Sequence, residues 1–296
     1  MADRVTVRPR ADRDKRGSGK LLELYHHGSS VCAAKVRFAL MEKGADWEGR
    51  YIDILKGDQF DPEYMKLNPK AVVPTLVHDG RVIVESTVIC EYLDDVFPEP
   101  ALKPEDPHQR AAMRLWMKNV DDYIHPTCGE LTFVSCHRHI IRRLGPDGVE
   151  QFLSGTPGVS VTPQWVSRKR ELVERGFDAP GVAEKIRLHI KYMKQANADL
   201  AGRRWLAGED FSLADIALAP YANRLEMLGM SALWEQGRLP HLAEWFERIR
   251  SRPNFKPCFL DWCPPQLTDD LRTFGTQSWP EVREIVDPAE PGAVAH

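Results

Sequence analysis

Leu67-Asn68-Pro69-Lys70-Ala71-Val72-Val73-Pro74-Thr75-Leu76-Val77-His78-Asp79-Gly80-Arg81-Val82-Ile83-Val84-Glu85-Ser86 is the stretch on which the fold turns. Asp79-Gly80 supplies the positive φ that a tight turn needs, and apolar runs flank it, so Val73–Val77 and Val82–Glu85 read as a β-hairpin. Ser86 then opens an amphipathic helix to about Val96, stopped by Phe97-Pro98. Upstream, Leu21–Tyr25 suits a short strand, Cys32–Lys43 a helix ended by Gly44, Trp47–Ile54 a second strand and Asp61–Leu67 one or two helical turns. Strand, helix, strand, helix, hairpin, helix is the order of an α/β, thioredoxin-like domain, here over residues 21–98.

Past the proline-rich stretch Pro98–Pro107 nothing alternates like a strand. Helical periodicity covers about Pro107–Leu144, Val182–Leu200, Ser212–Leu228 and Leu239–Ser251, which predicts an all-α, helical-bundle domain over 107–265. Gly145–Pro180, with its prolines, glycines and the run Arg168-Lys169-Arg170, reads as an insertion of one irregular stretch plus a helix. In Phe211-Ser212-Leu213-Ala214-Asp215-Ile216, Ser212 and Asp215 form a capping box and Phe211 and Ile216 a staple, a structural signal rather than a catalytic one. Residues 1–20, seven basic against three acidic with almost nothing apolar, are expected to be a flexible arm, and 266–296 a C-terminal extension that wraps the surface or frays.

Composition narrows the function. The net charge of −3 gives no reason to expect nucleic acid or an anionic membrane as partner, and no apolar run approaches a membrane span. Six cysteines without close paired spacing suggest neither a zinc ribbon, nor another metal site, nor a disulfide scaffold, so a cytoplasmic setting is expected. The chemistry concentrates in Tyr25-His26-His27-Gly28-Ser29-Ser30-Val31-Cys32-Ala33-Ala34-Lys35-Val36-Arg37, a strand end passing through a polar turn into a helix with a thiol in its first turn. Lowering a thiol pKa by about 2 units takes roughly 2.7 kcal/mol. A helix start gives about 0.3–1 kcal/mol and a hydroxyl donor about 1.5–3, so together they suffice. The stabilised sulfur is either Cys32 itself or the thiol of a bound cofactor with Ser30 or Ser29 as donor; equally, Cys32 is a small core residue and the serines are an N-cap. His26 and His27 are near in sequence, but no basic residue is clearly poised to activate Cys32.

With these pieces placed, the chain resembles the glutathione S-transferase superfamily over roughly residues 21–255. Four motifs carry the resemblance: the Ser30-Val31-Cys32 turn, Leu67-Asn68-Pro69 leading to Val73-Pro74, Glu85-Ser86, and Ser212–Asp215. The turn is similar to that of zeta-class enzymes, the maleylacetoacetate isomerases, and of the reductive dehalogenase of chlorinated hydroquinones, and Leu67–Leu76 looks closest to the dehalogenase. His78–Glu99, Arg110–Trp116 and the insertion instead resemble bacterial lignin β-etherases of the fungal-related class, which have neither Ser30 nor Cys32 at the turn.

The resemblance implies glutathione as cofactor. Val73 and a cis Pro74 would pair with its cysteinyl unit, Glu85 and Ser86 would hold the γ-glutamyl end, and Lys56 would reach the glycyl carboxylate. Val72 stands where zeta enzymes have an amide side chain. Ser30 would donate to the glutathione thiolate, or Cys32 would attack a glutathione conjugate. Trp116, Tyr123, His125, Phe133 and His137, on the long first helix, are candidates to line a pocket for a small, hydrophobic, aromatic electrophile. The expectation is a homodimeric transferase acting on an aromatic or aryl-ether electrophile, with β-aryl ether cleavage of lignin-derived ketones as the leading case. The alternatives are a dehalogenase, isomerase or thiol–disulfide reductase working through Cys32, and a glutathione-binding scaffold without turnover.

Overall fold

The computed structural model of the chain describes residues 22–155 and 163–287. The basic arm 1–20, the middle of the insertion and the end of the C-terminal extension lie outside the described residues. The first half contains β1 (Leu22–His26), α1 (Val31–Glu42), β2 (Glu48–Tyr51), α2 (Pro62–Leu67), β3 (Thr75–His78), β4 (Arg81–Val84) and α3 (Ser86–Val96). Its sheet runs β2-β1-β3-β4, with β1 and β2 parallel and the other pairs antiparallel. Leu24 on the central strand faces Leu76, and both are fully buried under Phe38 and Leu40 of α1 and Leu93 of α3. β2 is shorter than its apolar pattern suggested. It is an edge strand with all four residues exposed, held by Arg50 reaching Glu23 at 2.7 Å.

Among the described residues the second half has no named strand and is built of α4 (Pro107–Asn119), α5 (His125–Thr132), α6 (Arg138–Arg142), α7 (Gly145–Ser154), α8 (Pro163–Arg175), α9 (Val182–Asp199), α10 (Leu213–Met227), α11 (Pro240–Arg250), α12 (Phe255–Phe259), α13 (Pro265–Gln277) and α14 (Trp279–Val286). The long first helix is not uniform. π-helical turns at Val120–Ile124 and Phe133–His137 join α4, α5 and α6, and each extra residue rotates the following side chains onto a new face. The insertion holds two helices rather than one, and Arg168 of α8 anchors it through paired contacts to the buried Glu130 of α5, 3.0 and 2.8 Å. Beyond residue 265 the chain stays helical through Val286, burying Leu267, Leu271 and Val282.

The capping box forms as the sequence indicates. Asp215 accepts from Ser212 N at 3.0 Å and also from Leu206 N at 3.0 Å and Trp245 Nε1 at 2.8 Å, so one carboxylate ties three segments of the helical half. The two halves are tied by Arg37. Its side chain is fully buried in α1, donating to Cys258 O (2.9 Å) on α12 and to His27 O and Gly28 O (both 3.1 Å) in the turn after β1. No described helix is long and apolar enough to cross a membrane.

Replacing Arg37 by Met leaves three buried carbonyls without their donor. We expect a loss of about 3–5 kcal/mol in urea unfolding. A loss below about 1 kcal/mol would show that other contacts hold the turn.

Candidate active site

The turn between β1 and α1 is held from several sides. Ser30 is the N-cap of α1, its Oγ accepting from Ala33 N at 3.2 Å, as the polar turn before a helix indicated. Arg224 of α10 donates through Nη2 to the Ser29 carbonyl. Gly28 lies so close to the C-terminal half that a Cβ there would stand 1.9 Å from Trp262 O, so only glycine fits. Neither histidine of the turn is a base. Burial, reinforced by the Arg37 charge, pushes His26 down to about 2. Burial also pushes His27 down to about 4, against the pull of Asp53 and aided by Arg37 and Arg224. Neutral His27 uses Nδ1 to accept from Ser29 N (3.3 Å), and the Ser29 hydroxyl lies 3.1 Å from the same atom.

Cys32 has a partner that sequence distance concealed. Its Sγ lies 3.5 Å from His125 Nδ1, 3.8 Å from His125 Nε2 and 3.8 Å from the Tyr221 hydroxyl of α10. Burial opposes ionisation of this thiol. The His125 charge and hydrogen bond, then the Lys35 charge and the Tyr221 hydroxyl, outweigh burial and bring it down to about 6. The facing His125 is pushed up, chiefly by the thiolate charge, so the pair favours thiolate and imidazolium together. A basic residue is therefore poised at Cys32, and it is His125, delivered by the π turn immediately before α5. The sequence placed His125 among substrate-pocket residues, and the structure puts it against the thiol.

One turn along α1, Lys35 is fully buried. Its Nζ donates to Ser86 Oγ (3.1 Å) at the start of α3 and to Asp121 Oδ1 (3.3 Å), and Thr87 donates to the other oxygen of Asp121. Ser86, the free N–H groups of α3 and a buried ammonium thus lie together, a set suited to a carboxylate. Glu85 takes φ 68°, a left-handed value that a non-glycine residue holds only where its surroundings enforce it. Its carboxylate is paired with Lys70 at 2.5 Å. The Val73–Pro74 peptide is cis, as the resemblance implied. The loop leading into it is fastened by Tyr64 OH and Asn68 Nδ2, which donate to Val72 O at 2.6 and 3.0 Å, while the Val72 side chain is exposed.

The remaining candidates scatter. Lys56 is exposed and bound to Asp53 at 3.0 Å. Trp116 is buried in the core. Tyr123 is exposed and stacks on Tyr192 of α9, ring centroids 5.3 Å apart. Phe133 is buried against the edge of His137, which burial, followed by the charge of Arg224, pushes down to about 3. The cavity beside the turn is lined instead by Ser29, Ser30, Val31, Pro220, Arg224 and Met227, among others. Sequence reasoning missed Lys35, Asp121, Tyr221 and Arg224. For Lys35 a signal existed, since it follows Cys32 by three residues on the same helical face. For the others only the tertiary fold brings them near.

Comparison with known proteins gives a consistent picture. The glutathione S-transferase N-terminal domain model matches residues 29–96 and the C-terminal domain model residues 163–253. Protein LigF of Sphingobium sp. (strain NBRC 103272 / SYK-6) is 33% identical over 242 residues, covering 80% of this chain and 93% of that protein. The crystal structure of beta-etherase LigF superposes with a TM-score of 0.72 over 80% of this chain and 98% of that one. The tetrachloro-p-hydroquinone reductive dehalogenase of Sphingobium chlorophenolicum is 30% identical over 79% of this chain and 94% of its own length. A theta-class glutathione S-transferase from Xanthomonas axonopodis pv. citri, solved with glutathione bound, shares the fold at a TM-score of 0.57 and 23% identity, covering 81% of this chain and 97% of that one. With an α/β half bearing the thiol turn, a helical half closing over it, and relatives matched along most of their length, this chain belongs to the glutathione S-transferase family.

Proposed function

We propose that the chain is a glutathione-dependent enzyme of aromatic compounds in which Cys32 removes the glutathionyl group from an aromatic thioether. Glutathione is a consumed substrate here. Ser86, the α3 N-terminus and Lys35 suit its γ-glutamyl carboxylate, and Val73-Pro74 suits its cysteinyl unit. The Cys32–His125 contact of 3.5 Å carries the reading. Cys32, brought down to about 6, is a thiolate at neutral pH, and a second thiolate about 4 Å away would cost about 4 kcal/mol at an effective dielectric near 20. The site therefore stabilises one anionic sulfur, and the protein's own thiol holds that place.

The step balances as follows. Cys32 thiolate attacks the sulfur of a thioether on a carbon beside an aryl carbonyl. The S–S bond forms, the C–S bond breaks, and the electron pair leaves on carbon as an enolate, which takes a proton from the His125 imidazolium. A second glutathione, as thiolate, attacks the mixed disulfide, giving glutathione disulfide and restoring Cys32. One glutathionyl thioether and one glutathione become a reduced ketone and a disulfide.

A second reading is favoured by the 33% identity to LigF over 80% of this chain: direct displacement of an aryloxy group from a lignin-derived ketone by glutathione thiolate. Ser30 supports it, because its Oγ accepts from Ala33 N and keeps its own hydrogen for a sulfur. The six free thiols fit a reducing cytoplasm. Val82 of β4 (42% exposed), Val88 of α3 (55%) and Leu115 of α4 (60%) are large apolar side chains left exposed, and we assign them to a homodimer contact.

Thiolate absorbance at 240 nm in the free enzyme should titrate near pH 6, and His125→Gln should move it up by at least about 1 unit. The rate of glutathione removal should rise through that pH as Cys32 deprotonates and fall again where His125 loses its proton. With a glutathionyl aryl ketone, Cys32→Ala should abolish turnover and the Cys32 mixed disulfide seen by mass spectrometry, while Ser30→Ala loses less than about tenfold. β-Aryl ether cleavage that requires Ser30 and survives Cys32→Ala would instead establish the second reading, and glutathione binding with neither turnover would leave a scaffold. Light scattering should give a dimer that Val88→Glu converts to monomer; a wild-type monomer would remove the dimer from the proposal.

A further inference from the structure

His189 of α9 is fully buried in the helical half. Burial pushes it down to about 4, against the pull of the Ile124 backbone, so the ring is neutral at working pH and carries one N–H. Its Nδ1 lies 3.0 Å from Thr127 Oγ1, while Nε2 is buried with no partner among the described residues. Thr127 has a single hydroxyl hydrogen, donated to Tyr123 O at 2.7 Å with Ile124 O beside it at 3.1 Å. Nδ1 must therefore hold the hydrogen of the ring and donate it to Oγ1, which leaves Nε2 a bare acceptor. A leucine would fill this place without burying an unpaired nitrogen, so the ring is explained by what Nδ1 does.

That contact bears on the wide turn before His125. Pro126 follows His125 directly; in an uninterrupted α-helix it would leave the ladder one donor short and press its ring on the Asp122 carbonyl. The π turn Val120–Ile124 takes up the crowding, with His125 N reaching back five residues to Val120 O. A lone π turn is an uncommon geometry and needs contacts that hold it. Thr127 Oγ1 fastens its last two carbonyls, and His189 fastens Thr127. The Ile124 carbonyl belongs to the same rigid peptide as His125 N, so fixing it fixes where the His125 side chain leaves the helix. Tyr192, three residues after His189 on α9, holds the turn at a second point by stacking on Tyr123, centroids 5.3 Å apart. Of the groups that act on Cys32, Lys35 sits on α1 and Tyr221 on α10, and only His125 hangs from the wide turn. We infer that His189 and Thr127 are positioning residues for His125, a clamp that holds the wide turn and so keeps the imidazole against the thiol. The inference rests on the proposed function only in taking Cys32 and His125 as a working pair.

The test is the pH titration of thiolate absorbance in the full chain, read as the difference from Cys32→Ala. Wild type should titrate near pH 6. Thr127→Val keeps the shape of the side chain and removes the hydroxyl, and it should raise the midpoint by about 1 unit or more. Thr127→Ser restores the hydroxyl and should return the midpoint to within about 0.3 unit of wild type. His189→Leu should follow the valine variant, while His189→Asn, which keeps a donor near the Nδ1 position, should stay closer to wild type. A residue that only stabilises the fold would lower the urea midpoint of unfolding and leave the thiolate midpoint where it was. A thiolate midpoint unmoved by Thr127→Val, or moved equally by valine and serine, would overturn the inference. Should the valine variant fail to fold, equal midpoints for His189→Leu and His189→Asn would overturn it. His125→Gln tells the two proposals apart: a midpoint that it raises and Thr127→Val does not leaves the thiolate pair standing and removes the clamp, and a midpoint that neither moves removes both.

Discussion

A single buried guanidinium decides where everything else in the site stands. Arg37 lies in α1, a helix whose neighbours are apolar, and burial lowers it to about 10, still cationic at neutral pH. Its three carbonyl partners come from the turn after β1 and from α12, so the strand end, the helix start and the C-terminal half cannot move independently. Once His27 and Gly28 are fixed, Ser30 must cap α1 and Cys32 must occupy its first turn. Gly28 completes the constraint, since Trp262 leaves no room for a side chain there.

The electrostatics of the thiol follow from the same frame. Cys32 sits against His125, near Lys35, at the positive end of α1, while Asp121 and Ser86 occupy the lysine from the far side. Lys35 thus couples the sulfur, through its charge, to Ser86 at the start of α3, to which its Nζ donates. Desolvation works against the thiolate throughout, and only the sum of several favourable contacts overcomes it.

Much of this was legible in the chain. The Asp79-Gly80 hairpin, the Ser30 cap and the Ser212–Asp215 box rest on local chemistry, which a sequence displays directly. What stayed hidden depends on distant contacts. Lys35 and Arg37 look like solvent-facing cations on a helix, yet both are fully buried because α3, α10 and α12 close over them. The pairing of Cys32 with His125 spans ninety-three positions, and only the helical half folding over the turn brings them together. The aromatic residues of the first long helix read as a pocket lining because a uniform helix would align them; two π turns break that alignment, so that Trp116, ahead of both, is buried in the core while Tyr123, inside the first, is exposed.

Those wide turns also bear on how such a molecule acquires new chemistry. A π turn holds one residue more than the α-helical turn it replaces and re-aims the side chains beyond it. His125 follows the first of them directly, and His137 closes the second. Gain or loss of a single codon at the first of them would therefore exchange the side chain presented to the sulfur, so the reactivity of this architecture can evolve by frame-preserving insertions as readily as by substitution.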